Sequence, residues 1–264
     1  MSILNHRLRC LARIAGPERV AQLDRFLFTE PAQGRALLEA NHPDRVAYAL
    51  MRFADFIGME SEAHARRLAA WSRQLGAALH LPSGVLADLE RHALVHDIGK
   101  LTTPDEVLQS PLPLEPTWLD RIHLHPTFGQ AVLFRVGGYQ HVARWVQAHH
   151  EYFDGSGYPD GLVGTEIPLA ARVFCLVDSF DAMTRGDRPF RTAQDAREAA
   201  DELKSLAGVR YDPPLVQAFL RQDFGAWCAV RERWPDTCAT PATTGVVEVA
   251  RVVESAAGLE HASK

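Results

Sequence analysis

The residues best suited to chemistry are His149-His150-Glu151, followed by Asp154-Gly155-Ser156-Gly157-Tyr158-Pro159. Adjacent imidazoles, nearby carboxylates and a glycine-rich loop add little to an apolar core. They suit a metal cluster that grips phosphate. Similar side chains recur along the chain. Glu60 and His64 are four positions apart, so a helix would carry both on one face. His96 and Asp97 are adjacent, with Lys100 one turn on, and His125 precedes Pro126. Asp178 stands in the apolar run 173–180, and Ala93-Leu94-Val95 lead into His96. Polar side chains in such settings are costly unless paired or coordinated. Imidazole and carboxylate donors suit divalent iron, manganese, zinc or nickel. A single histidine on an apolar helix is more often a hydrogen-bonded core residue, and Asp178 alone would serve as the buried partner of an arginine. The whole set, in a chain with 12 histidines among 264 residues, is better explained by coordination.

Helices must hold these groups. Almost every periodic segment has the helical period, and no alternating run is long enough for a strand. An amphipathic stretch runs through Phe28 after Gly16-Pro17, and a second covers 34–57, interrupted near Asn41-His42-Pro43. Val46, Leu50, Phe53 and Ile57 have core-like spacing in it. A third covers 62–79, with Ala65, Leu68, Ala69, Ser72 and Leu75 inward, and a fourth 85–96. The proline-rich stretch 102–116 reads as loop. Thr117 is expected to cap a helix to Val136, ended by Gly137-Gly138. Further helices are expected over 139–152 and 168–183. Thr192 and Asp195 resemble a capping box for the next helix, and Asp212-Pro213 opens one to Leu220.

With 47% apolar residues the chain has ample material for a core. A net charge of −5 disfavours a non-specific DNA binder, which would show a basic face. The four cysteines, Cys10, Cys175, Cys228 and Cys238, form no CxxC pair and read as reduced thiols. No stretch is long enough to span a bilayer and no signal-peptide run opens the chain, so a cytoplasmic protein without membrane attachment is expected.

His96-Asp97-Ile98-Gly99-Lys100, His125-Pro126 with Gly129, the stretch 149–159, Asp178-Ser179-Phe180-Asp181-Ala182 and Arg188-Pro189-Phe190-Arg191 follow one another in order. With Tyr211-Asp212-Pro213, this series resembles the HD-GYP domain, a branch of the HD superfamily of metal-dependent phosphohydrolases. The resemblance covers roughly residues 55–225. It implies an all-α fold, an HD-domain helical bundle. Residues 1–54 would be a helical N-terminal region that packs on the core or forms a homodimer. Residues 226–264 would be a tail, partly disordered or with a short helix over 246–259.

The resemblance also implies hydrolysis of cyclic di-GMP to pGpG or GMP by a hydroxide bridging two metals. The centre would hold two or three divalent ions, iron or manganese ahead of zinc or nickel. Carried onto this chain, the ligand positions are His64, His96, Asp97, His125, His149, His150 and Asp178, with Glu60 for a third metal. Asp97 would bridge two metals, and Lys100 would stabilise charge growing on the phosphoryl group. Arg188 and Arg191 would grip phosphate oxygens, and Tyr158 would stack on a guanine or cover the loop. Glu151 and Asp154 would orient ligand imidazoles. Through the glycine loop, the resemblance implies a diguanylate cyclase (GGDEF) domain as a candidate protein partner. Another cyclic dinucleotide, such as cyclic GMP-AMP, or a low-turnover binding or scaffold role are the alternatives. Two departures alter the rim of the pocket: Ser110-Pro111-Leu112-Pro113 replaces the usual Lys-Pro-Gly, and Phe190 replaces a tyrosine.

Overall fold

The computed structural model describes residues 43–56, 59–108, 115–136, 138–186 and 193–236, and the isolated position 21. Among them the regular structure is helical, apart from one isolated bridge between Ala207 and Tyr211. The fold class is therefore all-α, as expected. No described helix is long and apolar enough to cross a membrane.

The central element is α8 (Leu169–Thr184), which buries residues on all sides, from Ala170 through Phe174 and Val177 to Met183. A helix apolar all round belongs inside a bundle. Around it pack α2 (Glu62–Ala78), α3 (Ser83–Val95), α9 (Ala196–Ser205), α10 (Pro213–Leu220) and α11 (Phe224–Arg233). Leu68, Trp71 and Leu75 of α2 meet Phe174, Phe180, Phe219 and Trp227 in this first core. A second core joins α1 (Pro43–Phe56) to α6 (His125–Val136) and α7 (Gln140–Ala148), through Leu50, Leu133, Val142 and Val146. Helix α3 belongs to both, with Leu89 and Ala93 in the first and Val95 in the second. His96 and Asp97 follow it and lie at the seam.

Several boundaries differ from the sequence expectation. The helix expected over 117–136 is two, a short α5 (Pro116–Ile122) and α6, because Pro126 lacks the N–H needed to continue a helix through that point. Pro116, not a Thr117 cap, opens α5. Helix α7 stops at Ala148 instead of 152: the Glu151 N–H turns back to the Ala148 carbonyl at 3.1 Å, and Phe153 and Asp154 then donate theirs to the carbonyls of Arg210 and Val209. The capping box at α9 is Asp195 with Glu198. Asp212 precedes α10 but its side chain caps nothing there; it pairs with Arg172 instead. A short helix (Asp105–Leu108, α4) lies in the stretch read as loop. Positions 54 and 225 fall inside α1 and α11, both of which pack on the cores, through Ala54 and Trp227. The stretches through Phe28, 34–42 and 246–259, Thr192, Cys10 and Cys238 lie outside the described residues, as do the side chain of Phe53 and the whole of Ile57.

Candidate metal centre

Helix ends deliver the chemistry. His96 is the C-cap of α3, and Asp97 turns the chain into the 3-10 segment Ile98–Thr102, which carries Lys100. This turn lies directly against the start of α6. A Cβ on Gly99 would sit 1.9 Å from the His125 carbonyl oxygen and 2.5 Å from the Gly129 nitrogen. Only glycine permits so close a backbone approach. His149 is the C-cap of α7, and His150 leads into the glycine loop. The loop folds back on itself: Tyr158 N–H donates to the His150 carbonyl at 3.1 Å, and the Tyr158 ring stacks on His150 and His123. Tyr158 thus covers one wall of the site.

The expected ligands gather in two adjoining pockets. Asp97, His125, His149 and His150 form one, and Glu60, His64 and His96 the other, each with its donor atoms within 4.8 Å of one another. Asp178 joins the second pocket, 3.5 Å from His64 Nε2. Asp97 faces both. Its Oδ1 is 3.1 Å from His125 Nε2, and its Oδ2 is 3.2 Å from His96 Nε2. Lys100 Nζ pairs with Asp97 Oδ2 and lies 4.0 Å from Glu60. Glu60 reaches the site from outside a helix. Ser61 is the N-cap of α2, accepting the His64 N–H at 3.2 Å, so Glu60 precedes the helix instead of sharing its face with His64. Its carboxylate still lies 3.8 Å from His64 Nε2.

The donor set fits a cation. The Nδ1–H groups of His96, His125 and His149 donate to the carbonyls of Ala93, Ile122 and Val146 at 2.9, 2.7 and 2.5 Å. A carbonyl only accepts, so in each neutral ring Nδ1 carries the proton and Nε2 the lone pair. Those lone pairs converge: His125 Nε2 and His149 Nε2 are 3.2 Å apart. Two lone pairs at that distance repel unless a proton or metal ion sits between them. Backbone carbonyls thus orient these imidazoles for coordination.

Electrostatics agree. Burial, then the neighbouring histidines, keep His149 and His150 well below the usual histidine pKa, so their lone pairs stay free. Burial opposes protonation of His96 too, but Asp97, Glu60 and Asp178 outweigh it and push its pKa up to about 9. A pocket negative enough to hold that proton will also attract a metal cation. Burial resists ionisation of Asp97, yet Lys100 and His96 hold it well below the carboxylate range.

Glu151 and Asp154 do not take the orienting role expected of them. Glu151 accepts the N–H groups of Asp160, Gly161 and Leu162 at 2.6, 3.2 and 3.1 Å, and so ties down the loop. Asp154 is exposed and accepts from Ser156 within its own turn. The carboxylate that does orient a histidine is Asp181, which accepts from His64 Nδ1 at 2.5 Å. That leaves His64 Nε2 facing Glu60 and Asp178. Sequence reasoning passed over Asp181, although it lies one helical turn from Asp178. It also missed Arg185, 4.0 Å from Glu60, and His92, buried one turn before His96 and packed on Phe174. Arg188, Arg191, Phe190 and 110–113 lie outside the described residues.

A model of the HD domain matches residues 54–215, more than half of the chain. The chain belongs to the HD domain family. Its curated relatives include cyclic-dinucleotide phosphodiesterases. A cyclic di-GMP phosphodiesterase of Thermotoga maritima is 34% identical over 174 residues, covering 65% of this chain and 47% of the relative. The 3'3'-cGAMP-specific phosphodiesterase 3 of Vibrio cholerae is 29% identical over 194 residues, covering 74% and 42%. The chain thus spans less than half the length of either relative. Among solved structures, an HDG"Y"P protein from Bdellovibrio bacteriovorus aligns with a TM-score of 0.50 at 18% identity, over 71% of this chain and 67% of that one. The similarity to that structure concerns the fold.

Proposed function

We propose that this HD-GYP chain is a metal-dependent phosphodiesterase that hydrolyses cyclic di-GMP to pGpG and/or GMP. The observation that carries this reading is Asp97, whose two oxygens face separate donor pockets while Lys100 is held against one of them. Divalent cations, iron or manganese as the HD-GYP resemblance implies, would supply Lewis-acid neutralisation of the phosphodiester and activation of water. Asp97 would be shared between the pockets. His125, His149 and His150 would hold one ion, and Glu60, His64, His96 and Asp178 the other or others. Lys100 stays protonated: burial lowers its pKa, but Asp97 and Glu60 more than compensate, raising it. It would therefore stabilise charge developing on the phosphoryl oxygens. Tyr158, stacked over His150, would shape the wall against which a base lies. Arg188 and Arg191 are proposed to hold the second phosphate.

A second reading, hydrolysis of cyclic GMP-AMP, is favoured by the Vibrio relative named for that substrate. Purified chain loaded with manganese, offered each dinucleotide separately, distinguishes the two. Faster conversion of cyclic di-GMP supports the first reading and faster conversion of cyclic GMP-AMP the second. Binding of either without conversion would instead indicate a scaffold.

A further inference from the structure

The carboxylate behind His64 is held from an unexpected direction. Asp181 is fully buried, and its acceptor sites are all used. Oδ1 accepts from Arg67 Nε at 2.7 Å and Arg231 Nη2 at 2.7 Å. Oδ2 accepts from Arg67 Nη2 at 2.9 Å and His64 Nδ1 at 2.5 Å. Arg231 lies on α11, beyond the span 54–215 that matches the HD domain. Its guanidinium also donates to Thr184 Oγ1 at 2.6 Å and pairs with Asp236 at 3.1 Å. Arg67, buried like Asp181, donates to the Trp234 carbonyl at 2.7 Å and pairs with Asp236 at 2.8 Å. Trp227 anchors the segment by stacking on Trp71 at 5.1 Å. Two arginines and two aspartates thus neutralise one another behind a single metal-facing imidazole.

We infer that segment 224–236 is a positioning element for the Glu60–His64–His96 pocket, acting through Arg231 and Asp181. The inference rests on the metal-centre reading given above. His64 is the one member of the set whose Nδ1 is held by a carboxylate; the rings of His96, His125 and His149 are held by carbonyls of their own local backbone. Loss of Arg231 would leave Asp181 held by Arg67 alone and loosen its grip on His64, while the Asp97–His125–His149–His150 pocket has no part in this chain of contacts. The C-terminal segment therefore acts on one pocket and not the other.

The test is manganese titration of the full chain by calorimetry, with His64→Ala identifying which binding step belongs to its pocket. Arg231→Met, which keeps an apolar stem but removes the guanidinium that lies over Trp71, should weaken that step about tenfold and leave the other step unchanged. Arg231→Lys keeps the charge without the fork and should lose roughly threefold at the same step; it decides the matter if Arg231→Met does not fold. Arg233→Ala, on the same helix, should change neither step. Equal affinities in wild type and the Arg231 variants, or parallel loss at both steps, would overturn the inference. A wild-type chain that takes up no manganese would instead overturn the proposed function.

Discussion

Gly99→Ala tests how the two halves of the metal centre are brought together. The added Cβ would lie 1.9 Å from the His125 carbonyl oxygen, with the Gly129 nitrogen at 2.5 Å. Both obstacles are backbone, so no side-chain rotation relieves them. An ordinary carbon–oxygen contact needs about 3.3 Å. The turn 98–102 and the first turn of α6 must therefore separate by about 1.4 Å, the difference between 3.3 and 1.9. One side carries Asp97 and the other His125, whose facing atoms are now 3.1 Å apart. Coordination tolerates misplacement of about 0.5 Å, so the shift is nearly three times too large. We expect turnover to fall at least ~100-fold, together with loss of manganese from the Asp97 pocket. Stability should drop by about 1–3 kcal/mol, the usual cost of overpacking. Gly84→Ala is the control, because a Cβ there meets nothing within 4 Å. Manganese affinity, turnover and urea unfolding of both variants provide the assay. A Gly99→Ala protein with wild-type affinity and turnover would refute the reasoning.

Two further outcomes follow from the same geometry. Lys100→Met should keep its metal content but lose about 100- to 1,000-fold in turnover, as expected for removal of a group that stabilises transition-state charge; retained turnover would remove Lys100 from the chemistry. His92 concerns stability. Burial, with a smaller effect from His96, lowers its pKa well below 6.5, and neither of its ring nitrogens has a protein hydrogen-bond partner. The unfolded chain takes up a proton there that the folded chain refuses. Its stabilising contribution is therefore complete above pH 6.5 and lost as pH falls below it. In urea unfolding of metal-free protein, His92→Leu should weaken the loss of stability as pH falls below 6.5, and parallel profiles for the two proteins would contradict it.

The proposed ligands were legible because metal chemistry restricts residue type. Few arrangements other than coordination explain His96-Asp97, His149-His150 and Asp178 in apolar surroundings, and the structure brings the two doublets at helix ends together with Asp178 from within α8. The positioning layer was not legible. Arg67 and Arg231 have the composition of solvated helix residues, and their partner Asp181 is more than a hundred positions from Arg67 in sequence. Only packing of α2, α8 and α11 makes a buried ion cluster of them. Glu151 and Asp154 misled for a related reason. A carboxylate beside a histidine suggests an orienting group, but the chain leaves α7 at Ala148, and loop N–H groups claim both side chains. Helix α11 was hidden because it is short and only Trp227 is fully buried, with Phe224 and Val230 packing partly against the core, so its apolar signal is weak.

The central claim is that these two pockets hold divalent metal and use it to hydrolyse a cyclic dinucleotide. One experiment joins both parts: metal quantification on anaerobically purified full chain, with cyclic di-GMP conversion measured on the same sample, for wild type, Asp97→Ala and His149→Ala. Wild type should carry bound iron or manganese and form pGpG or GMP, and both variants should lose metal and turnover together. Turnover that persists in both variants, or in protein stripped of metal, would contradict it.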